Sequence, residues 1–349
     1  MTRFTRHLLL ACLVTLAIHA PKTYAQNTSS EKTRLLFESE DILDLTLVMD
    51  VKTVTDDKSD DPPYRPATLA YLDETGKNVS LNIGVKTRGH FRLHSLNCQV
   101  PPLRLNFKKK EVTNTVFAGQ DKIKLVTHCK NAFEPLVLQE YLAYKIYNLL
   151  TEKSFRVRLI RITYEDTQGK ADPLTKYAFF IEHEDHLAKR NGGQIVEEVT
   201  YHQQQTYPAL TTLMAVFQYM IGNTDWVASQ GQNVTFLYID GSTRPIIVPS
   251  DFDFSGFINA PYASPNPALD LKSVKERRFM GVCRTEEEFA AAFALFYRHK
   301  EAIYTLVRNL APLEKKDADR SLAYFDAFYD AIDDPRTVQD AFLDTCLKP

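Results

Sequence analysis

The chain has 349 residues, with 42 Lys and Arg against 44 Asp and Glu and a net charge of −2. That length is enough to bury a sizeable core. The near balance of charge excludes the broad basic surface on which nucleic-acid binding depends.

Residues 1–25 read as a secretory signal: a positive start, "MTRFTR", an apolar run, "LLLACLVTLAIHA", and small residues in "TYA" before Gln26. The apolar run is too short to span a membrane, and no later segment is apolar enough to do so. Cleavage would remove Arg3, Arg6 and Lys22 and leave a net charge of about −5. The expected product is exported and soluble, in a periplasm or outside the cell. Four cysteines remain, Cys98, Cys129, Cys283 and Cys346. An even count in an oxidising compartment favours disulfides, and the spacings do not form a zinc motif.

Residues 26–40 form a polar lead-in. From 41 to about 130 the pattern is that of strands. "ILDLTLVMDV" and "NVSLNIGVKTRG" are rich in alternating and β-branched residues, with "DETGKN" as a turn and "TDDKSDDPPYRP" as an acidic loop. "PLRLNF" (102–107) and "DKIKLVTH" (121–128) alternate cleanly and suit antiparallel neighbours. Cys98 lies just before the first of these and Cys129 just after the second, so antiparallel pairing would bring the two together. We therefore expect a Cys98–Cys129 bridge, with Cys283–Cys346 as the remaining pair.

The period then changes. "FEPLVLQEYLAYKIYNLLTEK" (133–153) is an amphipathic helix. "FRVRLIRITYED" and "KYAFFIEHED" return to strand, residues 206–221 form a second helix, and "NVTFLYIDGSTRPIIVPSDFD" reads as a hairpin turning at "DGS". Residues 286–310 and 317–345 are helical by period. The order gives an α+β chain with a β-rich part at 41–185 and a mostly helical part at 186–349.

Two short stretches gather oxygen ligands: "IGNTDWVASQGQN" (221–233) and "PSDFDFSG" (249–256). Asp and Asn at such spacing suit a hard cation and a base, and they also suit an ordinary Asx turn. "EHEDH" (182–186) sets His183 and His186 beside carboxylates, where a surface segment is the simpler reading. Upstream, "KTRGHFR" (86–92) places Arg88 and Arg92 around a glycine turn, a geometry suited to phosphate.

The order of these motifs resembles the two-lobed protein-kinase-like fold, and among its members the CotH-type spore-coat kinases and the HipA-type kinases. Both carry a "GNxD…N" loop followed by a "P-x-D" element. The likeness covers roughly residues 80–300, and only the short motifs are specific. "HRD" is missing, and "DFD" stands where "DFG" is usual. The resemblance implies phosphate transfer from ATP or another nucleotide, with Mg²⁺, to an unknown protein or small-molecule acceptor. It makes Asp225 the base, Asn233 and Asp251 metal ligands with Asp253 as a second carboxylate, and Lys124 the phosphate-binding strand lysine, paired with Glu140 on the following helix. Arg88 and Arg92 would lie near the phosphates. Lys122 and Arg104 are alternatives for the role of Lys124. The rival readings are a catalytically inactive kinase-like binding protein and an envelope or extracellular interaction module without nucleotide.

Overall fold

Leu45, Leu47 and Met49 of β1 (Leu43–Met49) are buried between less buried neighbours, as expected of a strand with one covered face. The short helix α1 (Val51–Asp56) follows, capped by the Asp50 side chain on the Thr53 N–H. Similar alternation marks β2 (Arg65–Leu72), β3 (Asn78–Thr87), β4 (Leu103–Asn106) and β5 (Lys122–Val126). After helix α2 (Glu134–Leu150) come β6 (Val157–Asp166) and β7 (Leu174–Ile181). This is a computed structural model, and it describes residues 35–93, 98–197 and 199–348. The expected leader and its cleavage site lie outside them.

The seven strands close into a barrel in the order β1-β2-β3-β4-β5-β7-β6. Neighbours are antiparallel except β1 and β6, which run parallel with Leu43 opposite Ile160 and Met49 opposite Asp166. This corrects the two-lobed kinase-like plan: a closed, mixed, seven-stranded barrel followed by helices is not that fold. Alternation along a strand reports which face is covered, not which strands meet. The β1–β6 closure joins segments on either side of α2 and leaves no local mark in the sequence.

The barrel interior is filled by residues such as Leu47, Leu69, Val85, Leu105, Leu125 and Phe180. Phe117, from the segment between β4 and β5, inserts among Phe107, Tyr71 and Phe180 at ring distances of 4.8, 5.7 and 5.9 Å. A second core lies outside the barrel. There Val157, Leu159, Phe179 and Ile181 of β6 and β7 pack with Val137, Tyr141 and Tyr144 of α2. β6 and β7 are thus covered on both faces along part of their length, where β7 carries the apolar run 178–181.

Helix α3 (Glu184–Arg190) and strand β8 (Gly193–Val196) lead to α4 (Pro208–Ile221). From Thr211 to Ile221 every residue of α4 is buried, as in a helix enclosed on all sides. It ends at Gly222, whose φ of 62° is left-handed. A Cβ there would lie 2.1 Å from Tyr324 Oη, so both the backbone and the close packing require glycine.

β9 (Val234–Ile239) and β10 (Ile246–Pro249) form the expected hairpin, and β8 completes a three-stranded sheet in the order β10-β9-β8. α5 (Glu286–Asn309) starts on a capping box between Thr285 and Glu288. The last expected helix is broken: α6 (Lys315–Asp333) stops before Pro335, and Asp334 caps a new short helix, α7 (Pro335–Val338).

Both disulfides form as expected. Cα atoms are 4.5 Å apart in Cys98–Cys129 and 4.8 Å apart in Cys283–Cys346. The first follows from the antiparallel pairing of β4 with β5, in which Leu103 faces Leu125. Such bridges are compatible with export. No helix among the described residues is long and apolar enough to cross a membrane.

Candidate functional site

The β9–β10 hairpin sets Pro249 opposite Val234, so Asn233 and Asp251 leave its open end side by side. The Ser250 N–H donates to Asn233 O at 2.9 Å. Asn233 and Asp251 both take left-handed backbone, with φ of 54° and 59°. Such strain in non-glycine residues is sustained only where surrounding contacts enforce it. One of those contacts comes from α2: the Asp251 N–H donates to Tyr144 Oη at 2.9 Å.

The loop after α4 folds back on itself. Asn223 Oδ1 accepts from the Asp225 N–H at 3.0 Å, and Val227 pairs with Gln232. The chain therefore returns Asn233 to Asp225 although they are eight positions apart. Asn233 Nδ2 donates to Asp225 O at 2.6 Å and to its Oδ2 at 3.0 Å, and Gln232 Nε2 donates to Oδ1 at 2.5 Å. Burial raises the Asp225 carboxyl above the usual range, and the charge of Asp251 adds to it against the hydrogen bonds from Asn233 and Gln232.

Arg92 lies on a single helical turn after β3 and is buried. Its guanidinium reaches three carboxylates: Glu140 Oε2 and Asp251 Oδ1, each at 3.2 Å, and Asp253 Oδ2 at 3.3 Å. The Asp253 carboxyl also accepts from Tyr262 Oη at 3.0 Å. Burial pushes Asp253 well above the ordinary carboxyl range and raises Glu140, against the pull of Arg92. Asp251 goes the other way. Burial opposes its ionisation, but the Arg92 guanidinium, the hydrogen bond with Asp253 and the charges of Arg88 and Lys124 together outweigh burial and hold it low. The Asp251 side chain is 48% exposed, against 7% for Asp253. Asp251 is thus the open carboxylate of the set, favoured in its ionised form, and Asp253 the closed one, whose ionisation burial disfavours.

The charges of Arg88 and Lys124 act on Asp251, and the Arg88 Nε is enclosed by protein without a hydrogen-bond partner among the described residues. Lys124 Nζ bonds Glu184 Oε1 at 2.5 Å. Burial lowers the Lys124 ammonium pKa and Glu184 only partly restores it. This corrects the expected pairing of Lys124 with Glu140. Lys124 lies opposite Ile181 in the sheet, which brings Glu184, three residues further on, alongside it. Glu140 instead faces Arg92. Glu184 also lines a cavity of about 480 Å³ with His183, Val196, Gly231, Val234 and Phe236. His183 caps α3 by accepting from the Asp185 N–H. Among the described residues no group of three or more His, Cys, Asp or Glu side chains is arranged to hold a metal.

The structure therefore gathers Arg88, Arg92, Lys124, Glu140, Asp225, Asn233, Asp251 and Asp253 from separate segments into one neighbourhood, joined by the bonds and charge interactions above. Arg92 serves there as a carboxylate clamp. Sequence reasoning missed Glu184, Tyr144 and Tyr262. Tyr144 left a signal: it follows Glu140 by four positions, so two polar-tipped residues share one face of a largely apolar helix. Compared with known proteins, the chain matches no family model and no curated sequence.

Proposed function

We propose that this protein binds a nucleotide or another phosphorylated compound at the Asp251 cleft and transfers a phosphoryl group to an acceptor. The observation that carries this reading is the setting of Asp251. It is an ionised, half-exposed carboxylate close enough to Asp225, Arg88 and Lys124 to interact with the charge of each. Phosphoryl transfer needs little covalent chemistry from the protein. It needs positive charge on the phosphates and a carboxylate that takes the acceptor's proton.

Arg88 and Lys124 supply the charge. Asp225 is the base, because its raised carboxyl is moved toward the range in which proton transfer near neutral pH is efficient. Asn223, Gln232 and Asn233 fix its orientation.

The residues fit Mg²⁺. No donor among the described residues reaches Asn233 Oδ1, and Asp251 is open to solvent. Mg²⁺ typically takes one or two protein carboxylates and fills its remaining positions with water and phosphate oxygens. Asp251 and Asn233 would hold it, and it would supply charge neutralisation on the phosphates.

A second reading, phosphate binding without turnover, draws on the Arg92–Asp251 ion pair of 3.2 Å, which competes with any cation for Asp251. Labelled ATP with Mg²⁺ and mass detection of phosphorylated product tests the proposal. Turnover that falls at least a hundred-fold in Asp225→Asn, with nucleotide affinity kept, supports it. Binding without any transfer leaves the second reading, and no binding of any phosphorylated compound ends both.

A further inference from the structure

β3, β4 and β5 set three cations directly opposite one another. Lys86 faces Arg104, and Arg104 faces Lys124. All three lie on the outer face, because Leu103, Leu105, Ile123 and Leu125 turn into the barrel core. Like charges in directly opposed positions of neighbouring strands are unfavourable, so a stable sheet has no reason of its own to place them there. Two of the three have local partners: Lys86 pairs with Asp61 and Lys124 with Glu184. Asp61 is 89% exposed, so that pair is weak and easily displaced. Arg104, the middle member, has no ion-pair partner among the described residues. It is also a charged neighbour of both Arg88 and Lys124, and each of those acts on Asp251. The row is therefore continuous with the Asp251 cleft.

Strands stand 4.7–4.9 Å apart, so the row spans about 9–10 Å from Lys86 to Lys124. One tetrahedral anion bridges two neighbouring strands at most, while a chain of linked phosphates reaches all three. A guanidinium in the middle can hold such a chain through two oxygens at once.

We propose that Lys86, Arg104 and Lys124 form a track for a linear polyphosphate moiety, with Arg104 as the residue that distinguishes linked phosphates from a single phosphate. This deepens the proposed function and rests on it for the role of the Asp251 cleft. The terminal phosphate lies by Arg88, Lys124 and Asp251, and the linked phosphates run out along Arg104 toward Lys86. The substrate class is then a di- or triphosphate compound rather than a monophosphate ester.

The test is calorimetric titration of the secreted, disulfide-bonded chain with inorganic phosphate, pyrophosphate and tripolyphosphate, without divalent cations so that chelation does not contribute. Affinity should rise along that series by at least ten-fold. Arg104→Ala should lose about ten- to a hundred-fold of tripolyphosphate affinity, as expected for one charge-assisted contact, and little of the phosphate affinity. Lys122→Ala removes the same charge from an exposed position on β5 and should lose less than three-fold. Equal binding of all three anions, an unchanged Arg104→Ala, or equal losses in both variants would overturn the track. Phosphate transfer that depends on Asp225 but not on Arg104 would overturn the track alone. A polyphosphate series abolished by Arg104→Ala, without Asp225-dependent transfer, would uphold the track and remove the transfer reaction.

Discussion

The Tyr144 hydroxyl and the backbone N–H of Asp251 are joined by a 2.9 Å hydrogen bond between a buried helix and the end of a hairpin. It holds Asp251 at a φ of 59°, where its carboxylate stays open to solvent. We expect Tyr144→Phe to destabilise the fold by about 1–3 kcal/mol, since it leaves that N–H without a partner. Urea unfolding checks this. A variant as stable as the parent would mean that another contact holds the Asp251 backbone.

Arg92 is the larger dependence. Replacing it with Met removes the cation that three carboxyls share and leaves the buried Glu140 and Asp253 with only unfavourable surroundings for ionisation. The expected loss is on the order of 3–5 kcal/mol. The pH dependence has a definite sign. Without the guanidinium, burial raises both carboxyls further above their unfolded values. A carboxyl raised in the folded state contributes stability below its unfolded pKa and loses it as pH rises through the folded pKa. The deficit of Arg92→Met should therefore shrink on acidification toward pH 4 in denaturant titrations. A deficit that grew in acid would mean the clamp is not what keeps these groups stable.

His128 gives a separate pH response. It is buried beside Tyr164, its Nδ1 has no hydrogen-bond partner among the described residues, and burial lowers its pKa to about 4. An unfolded imidazole titrates near 6.5. Between these values the unfolded chain binds the extra proton, so stability rises with pH across this window and is lost as pH falls from 6.5 toward 4. The gap corresponds to about 3 kcal/mol. His128→Phe should flatten the stability profile over that window while leaving the slope below pH 4 in place. A slope of unchanged size would assign the acid sensitivity to other groups.

How much of this was legible in the sequence depends on range. Alternation marked β1, β3, β4 and β5, and helical period marked α2 and α4, because each depends on which side chains face a core. The hairpin that brings Asn233 beside Asp251 was readable from its "DGS" turn. Barrel closure was not, since the β1–β6 pairing rests on contacts between distant segments. The partner of Lys124 was also hidden. Glu140 lies on the helix that follows β5, but sheet register brings Glu184 to Lys124, and the rotation of α2 turns Glu140 to Arg92. Register and helix rotation are set by packing, so residue order along the chain does not say which of these side chains meet.

The two disulfides allow stability and site geometry to be separated. Cys98–Cys129 closes a sequence separation of 31 and Cys283–Cys346 one of 63. Chain-entropy estimates give about 4 kcal/mol of stabilisation for each, because the dependence on loop length is logarithmic. Removing either bridge by a double Cys→Ala substitution should thus lower stability by similar amounts. Their effects on phosphate affinity should differ. The first bridge ties the start of β4 to the end of β5, the strands that carry Arg104 and Lys124. The second ties the segment before α5 to the chain end, where Val282 pairs with Leu347. Loss of Cys98–Cys129 should weaken tripolyphosphate binding several-fold at a temperature where both variants remain folded, and loss of Cys283–Cys346 should leave it within two-fold. Equal binding by the two variants would show that β4 and β5 keep their register without the bridge.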